Sequence, residues 1–136
     1  MQKQEVIDLI KDAGYGVLAT IEDSHPKARP MMPHLTDEGQ LLLALLPHSR
    51  TISQVKINPN VEVCYIDRKM NFARISGTAR ISSDSEKKDQ VWNNIPMLRQ
   101  YFTSPNDPNF VLVEIETEKV EAMTPHQKKP DVLSLK

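Results

Sequence analysis

The residues best suited to chemistry lie in the stretch Pro47–Thr51, between an apolar run that predicts a strand and a pattern that predicts a helix. A helix N-terminus presents free N–H groups and a partial positive charge, so it favours anions. Ser49 and Thr51 add hydroxyl groups, Arg50 adds a guanidinium fork that suits phosphate, and Lys56 follows in the same helix. An ordinary cap at Ser49 with a solvated Arg50 is the alternative interpretation.

A second candidate is Arg29-Pro30-Met31-Met32, which lies where a strand should run. Proline cannot donate a hydrogen bond to a sheet, so Pro30 predicts an edge strand or a bulge whose groups are free for another task. Core packing of the methionines and a protective edge charge at Arg29 would explain the same residues without a ligand.

Other reaction chemistry finds little support in the sequence. The four histidines are His25, His34, His48 and His126. None of them forms a pair at ligand spacing or lies beside Cys64, so a zinc site is not expected. No G-x-S-x-G elbow and no glycine-rich phosphate loop is present. No residue is therefore assigned as a catalytic acid, base or nucleophile.

Whole-chain properties narrow the class of protein. The chain has 136 residues and a formal net charge of −1, so one domain is expected and no overall field attracts nucleic acid. The single cysteine excludes an internal disulfide and fits a reducing compartment. No apolar stretch approaches the roughly 18 residues of a membrane span, and no signal-type run follows the first residues. We expect a cytoplasmic protein without nucleic-acid or membrane partners.

Hydrophobic periodicity predicts the elements that must position these residues. Strands are predicted at Tyr15–Ile21, through an irregular segment at 25–35, and at Leu41–Leu46, Val61–Tyr65, Phe72–Ser82, Phe110–Glu116 and Val120–Met123. Helices are predicted at Gln2–Ala13, after Ser49, from a capping box at Ser83 and Glu86 through Trp92, and at Pro96–Phe102. Consecutive antiparallel strands with few helices predict an α+β closed or split barrel. Residues 1–124 would form this domain, followed by a polar, poorly ordered tail at 125–136.

The order of several motifs carries a resemblance to a known family. The motifs are a leading helix, the strand Gly16–Thr20, Arg29-Pro30-Met31, Ser49-Arg50, a helix that ends at Asn58-Pro59, and the strand Ile75–Ala79. Together they resemble the pyridoxamine-5′-phosphate-oxidase-like FMN-binding split-barrel group, most closely its short general-stress-protein branch. The likeness runs from about Val6 to Met123.

This resemblance implies a six-stranded antiparallel Greek-key split barrel with peripheral helices, and a homodimer that binds FMN at the subunit interface. It implies that Arg29, Pro30 and Met31, with the adjoining Met32, flank the flavin. It also implies that Ser49, Arg50 and Thr51 hold the phosphate and that Trp92 covers the ring from the partner subunit. A core anchor is the alternative role of Trp92.

Three positions depart from the family pattern. Thr51 stands where many relatives have lysine, and Lys56 could replace that charge if its side chain reaches back. Leu45 and Leu46 stand where a hydroxyl residue is common.

The function implied by the resemblance is that of an FMN-dependent oxidoreductase, which acts on a small molecule with a nicotinamide electron donor. The alternatives are a non-catalytic flavin- or haem-binding protein and a barrel that has lost its cofactor.

Overall fold

The structure is a computed structural model that describes every residue from Met1 to Lys136. Its helices are α1 (Lys3–Ala13), α2 (Arg50–Ile57), α3 (Ser85–Asn94) and a 3₁₀ helix (Pro96–Gln100). Its strands are β1 (Gly16–Glu22), β2 (His25–Met31), β3 (His34–Leu35), β4 (Leu41–Leu45), β5 (Asn60–Ile66), β6 (Phe72–Ser82), β7 (Val111–Met123) and β8 (Asp131–Leu133). None of the helices has the length and apolar character that crossing a membrane requires.

All eight strands belong to one antiparallel sheet, in the order β2-β1-β5-β6-β7-β4-β3, with β8 beside β7. The two ends of this path, β2 and β3, are consecutive in the chain and are separated only by Met32 and Pro33. That connection reaches at most roughly 11 Å between Cα atoms, so the sheet curls until its edges approach each other without closing. The α+β class is confirmed, whereas the predicted count of six strands is wrong.

The strand β6 has the bounds that its alternating sequence predicts. Ala73, Ile75 and Ala79 face the interior and are at most 4% exposed. At Gly77 the register with β7 shifts. A Cβ atom at this position would lie 2.4 Å from the carbonyl oxygen of Glu116, so glycine is required at this close approach.

Both faces of strand β4 are covered, and its successive side chains point alternately into one apolar cluster and the other. Leu41, Leu43 and Leu45 belong to a large apolar cluster of 20 buried residues, to which α1 and α2 also contribute. Leu42 belongs to a small apolar cluster of seven buried residues beneath α3 and the 3₁₀ helix. The sheet therefore separates two apolar layers of unequal size.

The C-terminal residues are better ordered than their polar sequence predicts. The strand β8 pairs with β7, and Leu135 is 2% exposed within the large apolar cluster. Leu135 lies against the tight turn at Gly39, whose φ is 88°. The prediction of a poorly ordered tail is therefore wrong. The two strands predicted at Phe110–Glu116 and Val120–Met123 are one strand, β7, of 13 residues.

Helix α3 begins one residue later than predicted and is fixed to the sheet by a buried carboxylate. Its N-cap is Asp84, rather than Ser83, and the Asp84 carboxylate accepts a hydrogen bond from the backbone N–H of Lys87 at 3.1 Å. The side chain of Glu114 in β7 is 2% exposed, and its Oε1 accepts from Lys87 Nζ at 2.6 Å and Arg80 Nη2 at 3.0 Å.

The ionisation of Glu114 stabilises this attachment. Burial raises the pKa of its carboxyl, but hydrogen bonds from Lys87, Ser82 and Arg80 outweigh burial and lower the pKa to about 2. A carboxyl whose pKa falls on folding stabilises the protein above its unfolded pKa, near 4.5. That stabilisation is lost as the pH falls toward the folded value.

We therefore expect Glu114→Gln to lower the free energy of unfolding at pH 7 by about 3 kcal/mol. Urea denaturation of both proteins at pH 7 and pH 3 measures this, and the difference should fall to about half at pH 3. Glu38→Gln, at an exposed position, is the matched control with little expected effect. An equal loss at both pH values would contradict the role of ionisation.

Candidate ligand-binding cleft

An apolar cleft of about 650 Å³ opens where the edges of the curled sheet approach each other, and twelve of its fifteen lining residues are hydrophobic. The sheet side contributes Tyr15, Pro30, Met31, Met32, Leu43, Ala44, Leu45 and Leu46. The junction before α2 contributes His48 and Ser49, and the segment after α3 contributes Ile95, Met97, Leu98, Tyr101 and Phe102. Such a lining suits a largely apolar ligand of small-molecule size.

The strand β2 has the edge position that its prolines predict. It pairs only with β1, where Pro30 lies opposite Val17 and Met31 lies opposite Gly16. A residue without an N–H group is tolerated at an edge because no further strand needs its hydrogen bond. Pro30, Met31 and Met32 line the cleft instead.

Next to these lining residues, five polar side chains form one hydrogen-bonded network, the Gln54 network. Gln54 Oε1 accepts hydrogen bonds from Thr20 Oγ1 at 2.5 Å and from Arg29 Nη2 at 2.8 Å. Gln54 Nε2 donates to Glu22 Oε2 at 3.0 Å, and the other oxygen of Glu22 accepts from Arg50 Nη2 at 2.6 Å. The network ties β1, β2 and α2 together and links two guanidinium groups to one carboxylate.

The two arginines of this network differ in their freedom. Arg29 also donates to the Leu18 carbonyl oxygen at 3.2 Å, and burial, followed by the charge of Arg50, lowers the pKa of its guanidinium. The Arg50 side chain is 74% exposed, and its guanidinium hydrogen-bonds to Glu22 alone. Hydrogen bonds from Gln54 and Arg50 lower the pKa of the Glu22 carboxyl. Arg50 is therefore the more accessible of the two guanidinium groups.

The junction before α2 combines a helix cap with a lining position. Ser49 is the N-cap of α2, and its Oγ accepts a hydrogen bond from the backbone N–H of Thr51 at 3.2 Å. Ser49 also lines the cleft, so the positive end of the helix dipole lies at the cleft edge. The Thr51 residue is 5% exposed and Lys56 is exposed in the last turn of α2; neither lines the cleft.

Trp92 also lies outside the cleft. It packs against the small apolar cluster, and the Arg99 guanidinium lies 4.5 Å from the centroid of its ring. Leu45 and Leu46, the two leucines that depart from the family pattern, both line the cleft. They add to the apolar surface of the cleft.

Several residues of the site escaped the sequence analysis. Tyr15 lines the cleft from the residue directly before β1, and Met97 and Tyr101 line it because the segment after α3 folds back on the sheet, which no local pattern indicates. Gln54 offered a usable signal, since an amide that is 3% exposed on the buried face of a helix must find hydrogen-bond partners. Glu22 lies at the end of β1 and offered no such signal.

These features define a class of protein: a small α+β domain with an apolar cleft that opens beside the N-terminus of a helix. The chain belongs to the family described as "Pyridoxamine 5'-phosphate oxidase like", whose model matches residues 1–129. The resemblance that the motif order predicted is confirmed.

Individual relatives support the general-stress-protein branch. The chain is 28% identical over 137 residues to General stress protein 26 of Bacillus subtilis (strain 168), and the match covers 98% of this chain and 96% of the relative. It matches the crystal structure of the General Stress Protein 26 from Bacillus anthracis str. Sterne with a TM-score of 0.82, at 28% identity and 97% coverage of each chain. A heme binding protein from Mycobacterium smegmatis shares the fold, with a TM-score of 0.81 at 12% identity, over 98% of this chain and 57% of that one.

We expect Gln54→Met to lower the free energy of unfolding by about 2 kcal/mol, because Thr20, Arg29 and Glu22 lose their shared partner. Methionine has a similar length, so packing changes little. Denaturation at neutral pH measures the effect, with Gln90→Met on the exposed surface of α3 as the control, expected to change stability by less than about 0.5 kcal/mol. A loss no larger than that of the control would show that the Gln54 network does not stabilise the fold.

Proposed function

We propose that this chain binds FMN in the cleft and is an FMN-dependent oxidoreductase that acts on a small molecule. The observation that carries the proposal is the junction at Ser49, where the apolar cleft reaches the N-cap of α2, the residue directly before Arg50. FMN joins a planar apolar ring to a phosphate, so its two ends match the two parts of this site. The bound flavin supplies the redox chemistry, while the protein supplies binding, orientation and electrostatics.

Each predicted residue has a role in this proposal. Pro30, Met31 and Met32 contact the ring and ribityl chain, which is supported by their position in the lining. Arg29, Ser49, Arg50 and Thr51 serve the phosphate, with Lys56 as a more distant charge. Trp92 covers the ring from a partner subunit. We assign no catalytic residue, and a nicotinamide electron donor is part of the proposal.

The proposal includes a homodimer, with the curled sheet as a split barrel and the cleft completed by the partner. Large apolar side chains at the cleft support this, since Tyr15 is 58% exposed, Tyr101 is 57% exposed and Met97 is 40% exposed. Apolar surface of this kind marks an interaction site. A cytoplasmic location agrees with the free thiol of Cys64.

We expect the protein purified from cells to show a flavin absorption spectrum, and the apoprotein to bind added FMN. The Ser49→Ala/Arg50→Ala double variant should bind FMN about 10- to 100-fold more weakly, because it loses charge-assisted hydrogen bonds to the phosphate. Titration followed by flavin fluorescence measures both affinities. Arg68→Ala, at an exposed turn position, is the control for loss of a positive charge. Equal FMN affinity of the double variant and the control would refute the phosphate site.

A haem-binding function is the second candidate, because His48 places an imidazole in the apolar lining and a haem-binding protein shares the fold. If haem is the ligand, titration should produce a Soret band that His48→Ala shifts or removes. His126→Ala, at an exposed position outside the cleft, is the control. A flavin spectrum without a Soret band would decide against haem, and binding of neither would favour a barrel without a cofactor.

A further inference from the structure

We infer that Glu22 acts as an internal anion, which neutralises Arg29 and Arg50, the neighbours of the lining residues Pro30 and Ser49, until the phosphate group of a ligand displaces it. This inference rests on the proposed function and concerns the selectivity of the same site. In this arrangement Glu22 is a specificity-determining residue, because it sets how strongly the site favours a phosphorylated ligand over the same ligand without phosphate.

The contacts of Glu22 lie where a phosphate would find its donors. One carboxylate oxygen accepts from the exposed Arg50 guanidinium at 2.6 Å, and the other accepts from Gln54 at 3.0 Å. Gln54 in turn accepts from Arg29 at 2.8 Å. No other carboxylate contacts either arginine. Glu22 therefore has the position and charge of a resident counter-ion.

The same contacts leave Glu22 free to move away. Its side chain is 30% exposed and that of Arg50 is 74% exposed. An ion pair between such groups is weak, because water screens both charges. Arg29 is held in place by Gln54 and by the Leu18 carbonyl oxygen at 3.2 Å. Breaking the ion pair between Glu22 and Arg50 thus frees the Arg50 guanidinium while Arg29 stays in position.

Charge balance gives Glu22 its effect on selectivity. Hydrogen bonds from Gln54 and Arg50, together with the charges of Arg50 and Lys27, lower the pKa of its carboxyl, so this group is ionised at neutral pH. A phosphate that binds Arg50 must replace this carboxylate or suffer repulsion from it. A ligand without phosphate leaves the ion pair intact. Glu22 consequently weakens the binding of phosphorylated ligands alone.

The test compares the wild type with Glu22→Gln and Glu22→Ala, which both remove the charge. We expect FMN to bind about ten-fold more tightly to each variant and riboflavin to bind equally to all three proteins. Glu86→Gln, at an exposed position in the first turn of α3, is the control for loss of a negative charge. Unchanged or weaker FMN binding by the folded variants would overturn the inference.

A second measurement separates this inference from the proposed function. Thermal unfolding is followed with and without inorganic phosphate, against sodium chloride of equal ionic strength. We expect phosphate to raise the midpoint more in the Glu22→Gln and Glu22→Ala variants than in the wild type. If neither the wild type nor either Glu22 variant binds flavin, the proposed FMN function fails. The phosphate measurement alone then tests whether Glu22 competes with phosphate. Equal shifts in all three proteins would then overturn the inference.

Discussion

The constraint on which this structure depends is the short connection between the two edges of its sheet. Because β2 and β3 are separated only by Met32 and Pro33, a sheet of eight strands cannot stay flat. It curls, and the place where the edges approach each other without pairing is where the cleft opens. The prolines and methionines of this corner are thus explained together: the edge strand tolerates residues without an N–H group, and the unpaired corner leaves apolar side chains to line a cavity.

The curled sheet also brings together parts of the chain that supply opposite chemistry. The lining is apolar on the sheet side and on the side of the 3₁₀ helix, while the start of α2 adds a helix dipole and a cation. Gln54 connects these regions, because its amide both donates and accepts and so joins Arg29 to Glu22. A single amide on the buried face of α2 thereby organises the charged edge of the site.

The sequence allowed prediction of what depends on local pattern. The alternation of Phe72–Ser82 predicted β6 correctly, and Pro30 predicted an edge strand. Long-range contacts decided the rest. The polar tail is ordered because Leu135 reaches the turn at Gly39, and the polar residues near Thr117 stay in β7 because β6 pairs along their length. In the site, the position of Ser49 was predictable from its junction, whereas the bond between Gln54 and Glu22 joins residues 32 positions apart and leaves no local trace.

The unequal sizes of the two apolar clusters have a mechanical consequence for the cleft. One wall, which includes Leu43 and Leu45, belongs to the cluster of 20 buried residues, and the opposite wall, with Ile95, Leu98 and Phe102, belongs to the cluster of seven. Local opening costs least where the fewest buried contacts are lost. The cleft therefore has a stiff wall and a compliant one, and amide hydrogens of the 3₁₀ helix should exchange with solvent sooner than those of β4. If ligands of different thickness bind, we expect the wall with Ile95, Leu98 and Phe102 to move and the wall formed by β4 to stay in place.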